Sequence, residues 1–348
     1  RHAAGLLRRW RANGVVQPDS GRSVYVVRQA YDVDGRLHRR TGVICAVSVE
    51  PYEERRVLPH ERTHAHVKED RLQLMRATGA MCESLFFLAP DREAELERRL
   101  SGVTTRPPDM SARLDEVHTE VWVVQGPVAA TIAETAGRDR LYIADGHHRY
   151  ETGWLYRKEN AGADRTLALV VPAGDPGLVV LPTHRIIDRR VAIDDIRALL
   201  SSSFELSECD TAKLESALAA EVKTACGIIL AEGTGMLARL KPEAELCDFA
   251  RDRPESVRNL AIARIDELVV KPLVRTSGGS CGYSAYLKEV VQNVSEGGTG
   301  IVVKPISVDD VMRVADDGAF MPQKATYFIP KVPSGLVFLN FDRLMGAN

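Results

Sequence analysis

The chain has 348 residues, 45% hydrophobic and 27% charged, the balance of an ordinary soluble globular protein long enough for two domains. A formal net charge of −2 supplies no global field for nucleic acid or anionic membrane. No apolar run approaches the ~18 residues that span a bilayer. Six cysteines (Cys45, Cys82, Cys209, Cys226, Cys247 and Cys281) stand apart with no CxxC pair, a pattern that argues against a zinc ribbon or a secreted disulfide framework and for reduced thiols in the cytoplasm.

The predicted elements begin with a short helix over 3–14, its apolar side made by Leu6, Leu7 and Trp10. Ser23–Val33 and Arg36–Val49 read as two strands joined by Asp34-Gly35, a strong hairpin signal. A polar stretch from Pro59 leads into a helix over about 66–82, and Ser84–Ala89 reads as a buried strand. Residues 91–118, charged and carrying Pro107-Pro108, read as a helix and then a loop. Val121–Val124 is a strand, Val128–Thr135 a short helix, and Leu141–Ala144 a strand. Thr166–Val171 and Leu178–Leu181 are strands around the Gly174–Gly177 turn. From about 188 the chain alternates helices and strands, with Ile193–Leu200 and Lys213–Cys226 helical and Gly227–Leu230 extended. Strand character returns in Gly300–Pro305 and Tyr327–Ile329. The expected class is α+β, with a core over 1–187, an accessory α+β domain over 188–299 and a strand-rich segment over 300–348 that returns to the core.

The most informative stretch is Leu141-Tyr-Ile-Ala-Asp-Gly-His-His-Arg-Tyr-Glu-Thr152. An apolar strand ends in Asp145-Gly146, and a helix then opens with His147, His148 and Arg149. Cations at a helix start oppose the macrodipole, so a bound anion such as phosphate is the simplest compensation. The blander alternative is a surface turn with Asp145 as N-cap. A second dense stretch, Pro59-His60-Glu61-Arg62-Thr63-His64, contains a formal H-E-x-x-H match, which on a helix starting at Pro59 would present two imidazoles to zinc. No third ligand stands at metzincin spacing, so zinc is not expected. The same segment as a helix would instead bring Glu61, His64, Lys68 and Arg71 near one face, a carboxylate beside permanent cations as phosphoryl transfer requires. His184-Arg185, and Lys324 with Lys331, add basic groups at strand ends. Gly278-Gly-Ser-Cys-Gly282 fits the G-x-S-x-G elbow formally but lacks its strand-before-helix context. A Walker A loop is absent.

The strings PHERTHAHVKEDRLQLM, YIADGHHRYETGWLYR, LPTHRI and MPQKATYFIPK together resemble a bacterial and archaeal domain family of unknown function, in that family's order, over about residues 3 to 340. The Gly-x-His-Arg kernel is also similar to the phosphate turn of the ParB/sulfiredoxin superfamily, which includes nucleotide-dependent kinases of free L-serine. The resemblance implies a ParB/sulfiredoxin-like nucleotide-binding core with an additional α+β region. It implies a phosphate turn of Asp145, Gly146, His147, His148 and Arg149. His60, Glu61 and Thr63 match the Pro-His-Glu-x-Thr motif, and Lys68, Asp70 and Arg71 the Lys-x-Asp-Arg motif. His184 and Arg185 match Thr-His-Arg; Lys324, Thr326 and Lys331 match the C-terminal motif. His64 is not part of the pattern. Two departures stand out. The family's Pro-Pro-Tyr-Asp motif is missing, which implies that an acidic part of the site is absent here, and Ala325 stands where the family tends to have Ser.

The leading expectation is a cytoplasmic phosphotransferase that moves a phosphoryl group from ATP or ADP, with Mg²⁺, to the hydroxyl of a small free amino acid. Glu61 is the candidate base and His60 a catalytic neighbour; Asp145 is a second base or Mg²⁺ ligand. Gly146, His147, His148, Arg149, Lys68, Arg71 and Thr63 would hold phosphate or nucleotide. Asp70, His184, Arg185, Lys324, Thr326 and Lys331 would support the substrate. The alternative is a non-catalytic nucleotide-binding regulatory module, with a zinc peptidase third. Nucleic acid and membrane are not expected partners, and the oligomeric state is open, a homodimer among the options.

Overall fold

The computed structural model describes residues 2–63, 65–222, 224–230, 234–242, 244 and 252–341. By contacts the chain falls into two units, residues 1–179 with 328–348 and residues 180–327. Both mix helices and sheets, as the α+β expectation requires.

The first unit opens with α1 (His2–Ala12), β1 (Ser23–Val33) and β2 (Arg36–Ser48). The hairpin between these strands forms at Asp34-Gly35, whose φ values of 52° and 78° suit the tight turn that matches strand twist. Asp32 Oδ1 accepts from the Gly35 amide at 2.8 Å and fixes the turn. There follow β3 (Val57–Leu58), α2 (Ala65–Thr78), β4 (Ala80–Met81), β5 (Leu85–Ala89) and α3 (Glu95–Val103). Then come β6 (Met110–Leu114), β7 (Val117–Gln125), α4 (Gly126–Ala136), β8 (Leu141–Asp145), α5 (His147–Glu159) and β9 (Arg165–Pro172).

Among the described residues the main sheet runs β3-β8-β5-β9-β2-β1-β7-β6. The pairs β3–β8 and β5–β9 are parallel and the rest antiparallel. Central strands β5 and β8 are buried along nearly their whole length, which is why they read as continuous apolar runs rather than alternating ones. Trp122, Phe86, Phe87, Ile44, Leu85 and Leu88 are the large side chains sealed in this core. A bulge between Phe86 and Phe87 shifts the register where β5 faces the end of β8, beside Asp145.

The second unit comprises most of β10 (Val179–Leu181), then β11 (His184–Ile187), α6 (Ile193–Leu200), β12 (Phe204–Asp210), α7 (Leu214–Ala219), β13 (Ala225–Ile229) and β14 (Thr234–Leu240). It continues through α8 (Glu255–Arg258), α9 (Ala261–Ile265), α10 (Lys271–Ser277), β15 (Cys281–Ser284), α11 (Leu287–Ser295), β16 (Thr299–Val302) and α12 (Val308–Asp316). Its antiparallel sheet has the order β12-β14-β13-β16-β11-β15. Leu214 and Leu218 of α7 and Val290 and Val294 of α11 pack with Ile229, Leu237 and Val302 of the strands. The chain crosses back into the first unit through β17 (Tyr327–Ile329), and β18 (Leu339–Asn340) pairs with β4.

Two expectations are corrected, and a third reading, that Gly278–Gly282 lacks the context of an elbow, is met. The helix expected over Lys213–Cys226 stops at Ala219, and Ala225-Cys226 instead enter β13 between two neighbouring strands. Residues 110–114, expected as loop, form edge strand β6 through hydrogen bonds to β7, although every one of them is exposed. The Gly278–Gly282 string links a helix to a strand, the reverse of an elbow. Gly278 closes α10 in the left-handed region and the Ser280 hydroxyl donates to Asp188.

Candidate functional site

Strand β8 delivers Asp145 to its carboxyl end, and Gly146 makes the turn into α5 with φ = 100°, where any side chain would be strained. A Cβ there would also lie 3.1 Å from the Arg149 guanidinium. The N-cap is therefore Gly146 and carries no side-chain cap, so the reading of Asp145 as N-cap is overturned. The first helical bond runs from the Tyr150 amide to the Gly146 carbonyl at 2.9 Å, which leaves the amides of His147, His148 and Arg149 ahead of the helical ladder.

The Asp145 carboxylate is held by two cations. Arg149 donates to Oδ2 at 2.5 Å and Lys331 to Oδ1 at 2.8 Å. Arg149 also donates to the Ser84 carbonyl at 2.8 Å and lies 3.5 Å from Glu83. Glu83 in turn takes Arg71 at 2.7 Å. One helical turn toward the N-terminus of α2, Lys68 donates to Glu151 at 2.6 Å, and the Thr63 hydroxyl donates to the same oxygen at 2.7 Å. Two carboxylates thus tie α2 to the start of α5 and to the approach to β5. Each of these pairs is only partly exposed, where a charge-assisted bond is stronger than at an open surface.

Lys331 is placed by the returning segment. Arg40, fully buried, donates to the Ile329 carbonyl at 3.1 Å and to the Pro330 carbonyl at 2.7 Å, and also bonds Gln29. Gln29 Nε2 donates to the Lys331 carbonyl at 3.3 Å, and Tyr31 Oη to the Ile329 carbonyl at 3.3 Å. Three consecutive carbonyls are therefore gripped from β1 and β2. The Arg40 guanidinium stacks 4.5 Å from the Phe86 ring centroid, and burial lowers its pKa to about 10.

His60 and His147 are buried in edge-to-face contact with ring centroids 4.6 Å apart. The His60 amide donates to His147 Nε2 at 3.2 Å, so that nitrogen carries a lone pair and His147 holds its proton on Nδ1. Burial pulls the His60 pKa down to about 4, against a raising hydrogen bond with the Ile143 backbone. Glu61 is half-buried in the turn after β3. Because α2 begins at Ala65, residues 59–63 are not helical. Neither an H-E-x-x-H helix nor a helical face containing Glu61 with Lys68 and Arg71 is formed; His64 lies outside the described residues. Asp70 points from the exposed side of α2.

The first unit thus gathers His60, Thr63, Lys68, Arg71, Asp145, Gly146, His147, Arg149 and Lys331 around the β8–α5 turn, with His148 half-buried at the same helix start. Glu83 and Glu151, the carboxylates that organise its cations, were missed in the sequence. The signal was available: a chain of net charge −2 must neutralise its basic runs, and Glu151 lies two residues after Arg149.

His184, Arg185, Lys324 and Thr326 belong to the second unit. His184 and Arg185 open β11, just after β10 ends at Leu181. His184 Nδ1 accepts the Val303 amide at 3.2 Å, and burial, assisted by the neighbouring Arg185 charge, lowers its pKa to about 4. Arg185 is sealed and forks onto Asp266 at 2.7 and 2.9 Å, with a further bond to the Thr183 carbonyl. Its donors are directed at this protein's own carboxylate. Lys324 is exposed on left-handed backbone (φ 54°), and Ala325 is buried.

No curated protein matches this sequence. Among solved structures, the chain is similar to a mutant of a free serine kinase in complex with ADP, at 12% identity, TM-score 0.45, covering 86% of this chain and 93% of that one. It is also similar to a conserved hypothetical protein from Pyrococcus furiosus, at 16% identity, TM-score 0.41, covering 87% and 97%. A third is SbnI with a C-terminal truncation from Staphylococcus aureus, at 11% identity, TM-score 0.48, covering 88% and 90%. The family model described as "Protein of unknown function (DUF1015)" matches residues 1–267, and the chain belongs to that family.

Proposed function

We propose that this protein is a cytoplasmic, nucleotide-dependent phosphotransferase that phosphorylates the hydroxyl of a small free amino acid. The observation that carries the reading is the β8–Gly146–α5 turn. There a left-handed glycine opens a 13-residue helix, and Arg149 and Lys331 both bond Asp145 where that helix begins. Helix-start amides with adjacent guanidinium and ammonium groups form a receptor for phosphate oxygens. The motif resemblance to the ParB/sulfiredoxin phosphate turn falls on these same residues.

In this reading the acceptor hydroxyl oxygen attacks the terminal phosphorus of ATP or ADP. The bond from that phosphorus to the bridging oxygen breaks, the shortened nucleotide leaves, and the hydroxyl proton passes to Glu61. Arg149, Lys68 and Lys331 offset the charge on the phosphoryl oxygens, and neutral His147 donates through Nδ1. Positioning and charge neutralisation supply most of the rate in this chemistry. For Mg²⁺ the residues offer a single carboxylate, Asp145, which suits an ion that keeps waters and takes its other ligands from substrate phosphates. Bound there, the ion would neutralise phosphate charge.

The test is ³¹P NMR of the protein with Mg²⁺, ATP or ADP, and a pool of free amino acids. A new phosphomonoester resonance, lost in Arg149→Ala and Glu61→Ala, is expected. Nucleotide binding with no new resonance from either donor would replace this reading with a regulatory module.

A further inference from the structure

Beside the turn, sharing only Arg149 with the proposed phosphate-binding groups, a cavity of about 40 Å³ opens between α2, β4 and the first turns of α5. Its lining combines apolar Leu74, Met75 and Met81 with charged Arg71, Glu83 and Arg149. Its size decides what could enter. It is several times the ~10–15 Å³ that one water needs, but far short of a nucleobase pocket. A solute of a few heavy atoms fits.

The charges decide further. Glu83 sits between two guanidiniums, 2.7 Å from Arg71 and 3.5 Å from Arg149. A phosphate entering here would meet the Glu83 carboxylate and be repelled. A zwitterion would not. Its carboxylate can take the Arg71 fork from Glu83, and its ammonium can take the Glu83 oxygen so released. One internal ion pair becomes two external ones, and no charge is left unpaired. The hydrocarbon part then lies on the methionine and leucine wall.

We propose that this cavity is the subsite for a free α-amino acid, with Arg71 binding the α-carboxylate, Glu83 the α-ammonium, and the α2–β4 wall the side-chain carbons. The assignment rests on the phosphotransferase reading for its purpose, but the binding it describes needs no catalysis.

The experiment is calorimetric titration of the whole protein, with and without ADP, using L-serine, L-alanine, N-acetyl-L-serine and L-serinamide. Serine and alanine bind with dissociation constants within about tenfold of each other, because the recognised groups are common to both. The two blocked analogues bind at least about thirtyfold more weakly, since each leaves a charge of the protein unpaired. Glu83→Gln weakens serine by at least about tenfold on the same grounds. If either blocked analogue binds as tightly as serine, or if neither free amino acid binds with or without ADP, the subsite is wrong. The analogue series uses the unaltered protein, so the conclusion stands even if Glu83→Gln fails to fold. Free amino acids that bind while ³¹P NMR detects no transfer sink the phosphotransferase and keep the subsite. Transfer to N-acetyl-L-serine keeps the phosphotransferase and sinks the subsite.

Discussion

Replacing His184 with asparagine and following stability against pH separates a structural imidazole from a ligand-binding one. In the folded chain the ring is 1% exposed, and Nδ1 accepts the Val303 amide at 3.2 Å. Burial, assisted by the neighbouring Arg185 charge, lowers the pKa from 6.5 to about 4, and a proton on Nδ1 would also remove the acceptor of the Val303 amide. A folded-state pKa below the unfolded one means that the unfolded chain binds the extra proton between these values. Stability is therefore complete above pH ~6.5, declines as pH falls through the window, and levels off below ~4. At about 1.4 kcal/mol per unit, the whole window is worth about 3 kcal/mol, and about 2 kcal/mol of it is lost by pH 5. Asparagine keeps an acceptor for the Val303 amide and does not titrate. Urea unfolding followed by circular dichroism at pH 7 and pH 5 should show the unaltered protein losing about 2 kcal/mol more than His184→Asn. An NMR titration should show the His184 Hε1 resonance flat from pH 8 to pH 5. Equal losses in the two proteins, or a sigmoid centred near pH 6.5, would refute the argument.

Arg40→Met removes bonds to Gln29, Ile329 and Pro330 but relieves the burial that holds the Arg40 pKa at about 10. The balance should be a loss of about 3 kcal/mol in chemical denaturation, with faster proteolysis at Lys331. Gly146→Ala forces a side chain to φ = 100° against Arg149, so a loss of about 2 kcal/mol and at least about tenfold weaker nucleotide binding are expected by calorimetry. At Gly177 a Cβ would lie 2.0 Å from the Arg39 carbonyl oxygen, backbone that cannot swing aside. Gly177→Ala should cost about 3 kcal/mol or abolish soluble expression.

What the sequence disclosed follows the physics of each segment. Asp34-Gly35 announced its hairpin because few other dipeptides tolerate two successive positive φ values. The β8–α5 junction was legible because an apolar strand, a glycine and a run of cations leave few alternatives. Strand β6 was not, since its pairing uses backbone groups and its side chains are all exposed, so no hydrophobic alternation marks it. The start of α2, expected near 66, falls at Ala65, whereas the alternative helix from Pro59 does not form: the structure keeps 59–63 extended or turned and buries His60 against His147. Glu83 escaped notice because its importance lies in Arg71 and Arg149, 12 residues before it and 66 after it in the chain, which come together only in the folded state. The supporting roles expected of His184 and Arg185 came from their place near a strand end and from the Thr-His-Arg resemblance, neither of which discloses their partners in the fold. Inside β11 they meet the Val303 amide and Asp266.

The first unit is discontinuous along the chain, leaving at Val179 and resuming at Phe328. During synthesis, β1, β2 and the β8–α5 turn emerge without the segment that Arg40 and Gln29 grip. At ~5–20 residues per second, Lys331 follows Val179 off the ribosome by roughly eight to thirty seconds. Throughout that interval Arg40 is a nascent cation with no Ile329 or Pro330 carbonyl to hold it, and Asp145 has Arg149 but not Lys331. A ribosome-bound chain stalled before residue 328 would carry the sequence of the β8–α5 turn but not its finished charge pattern. That charge pattern is complete only once residue 331 has been made.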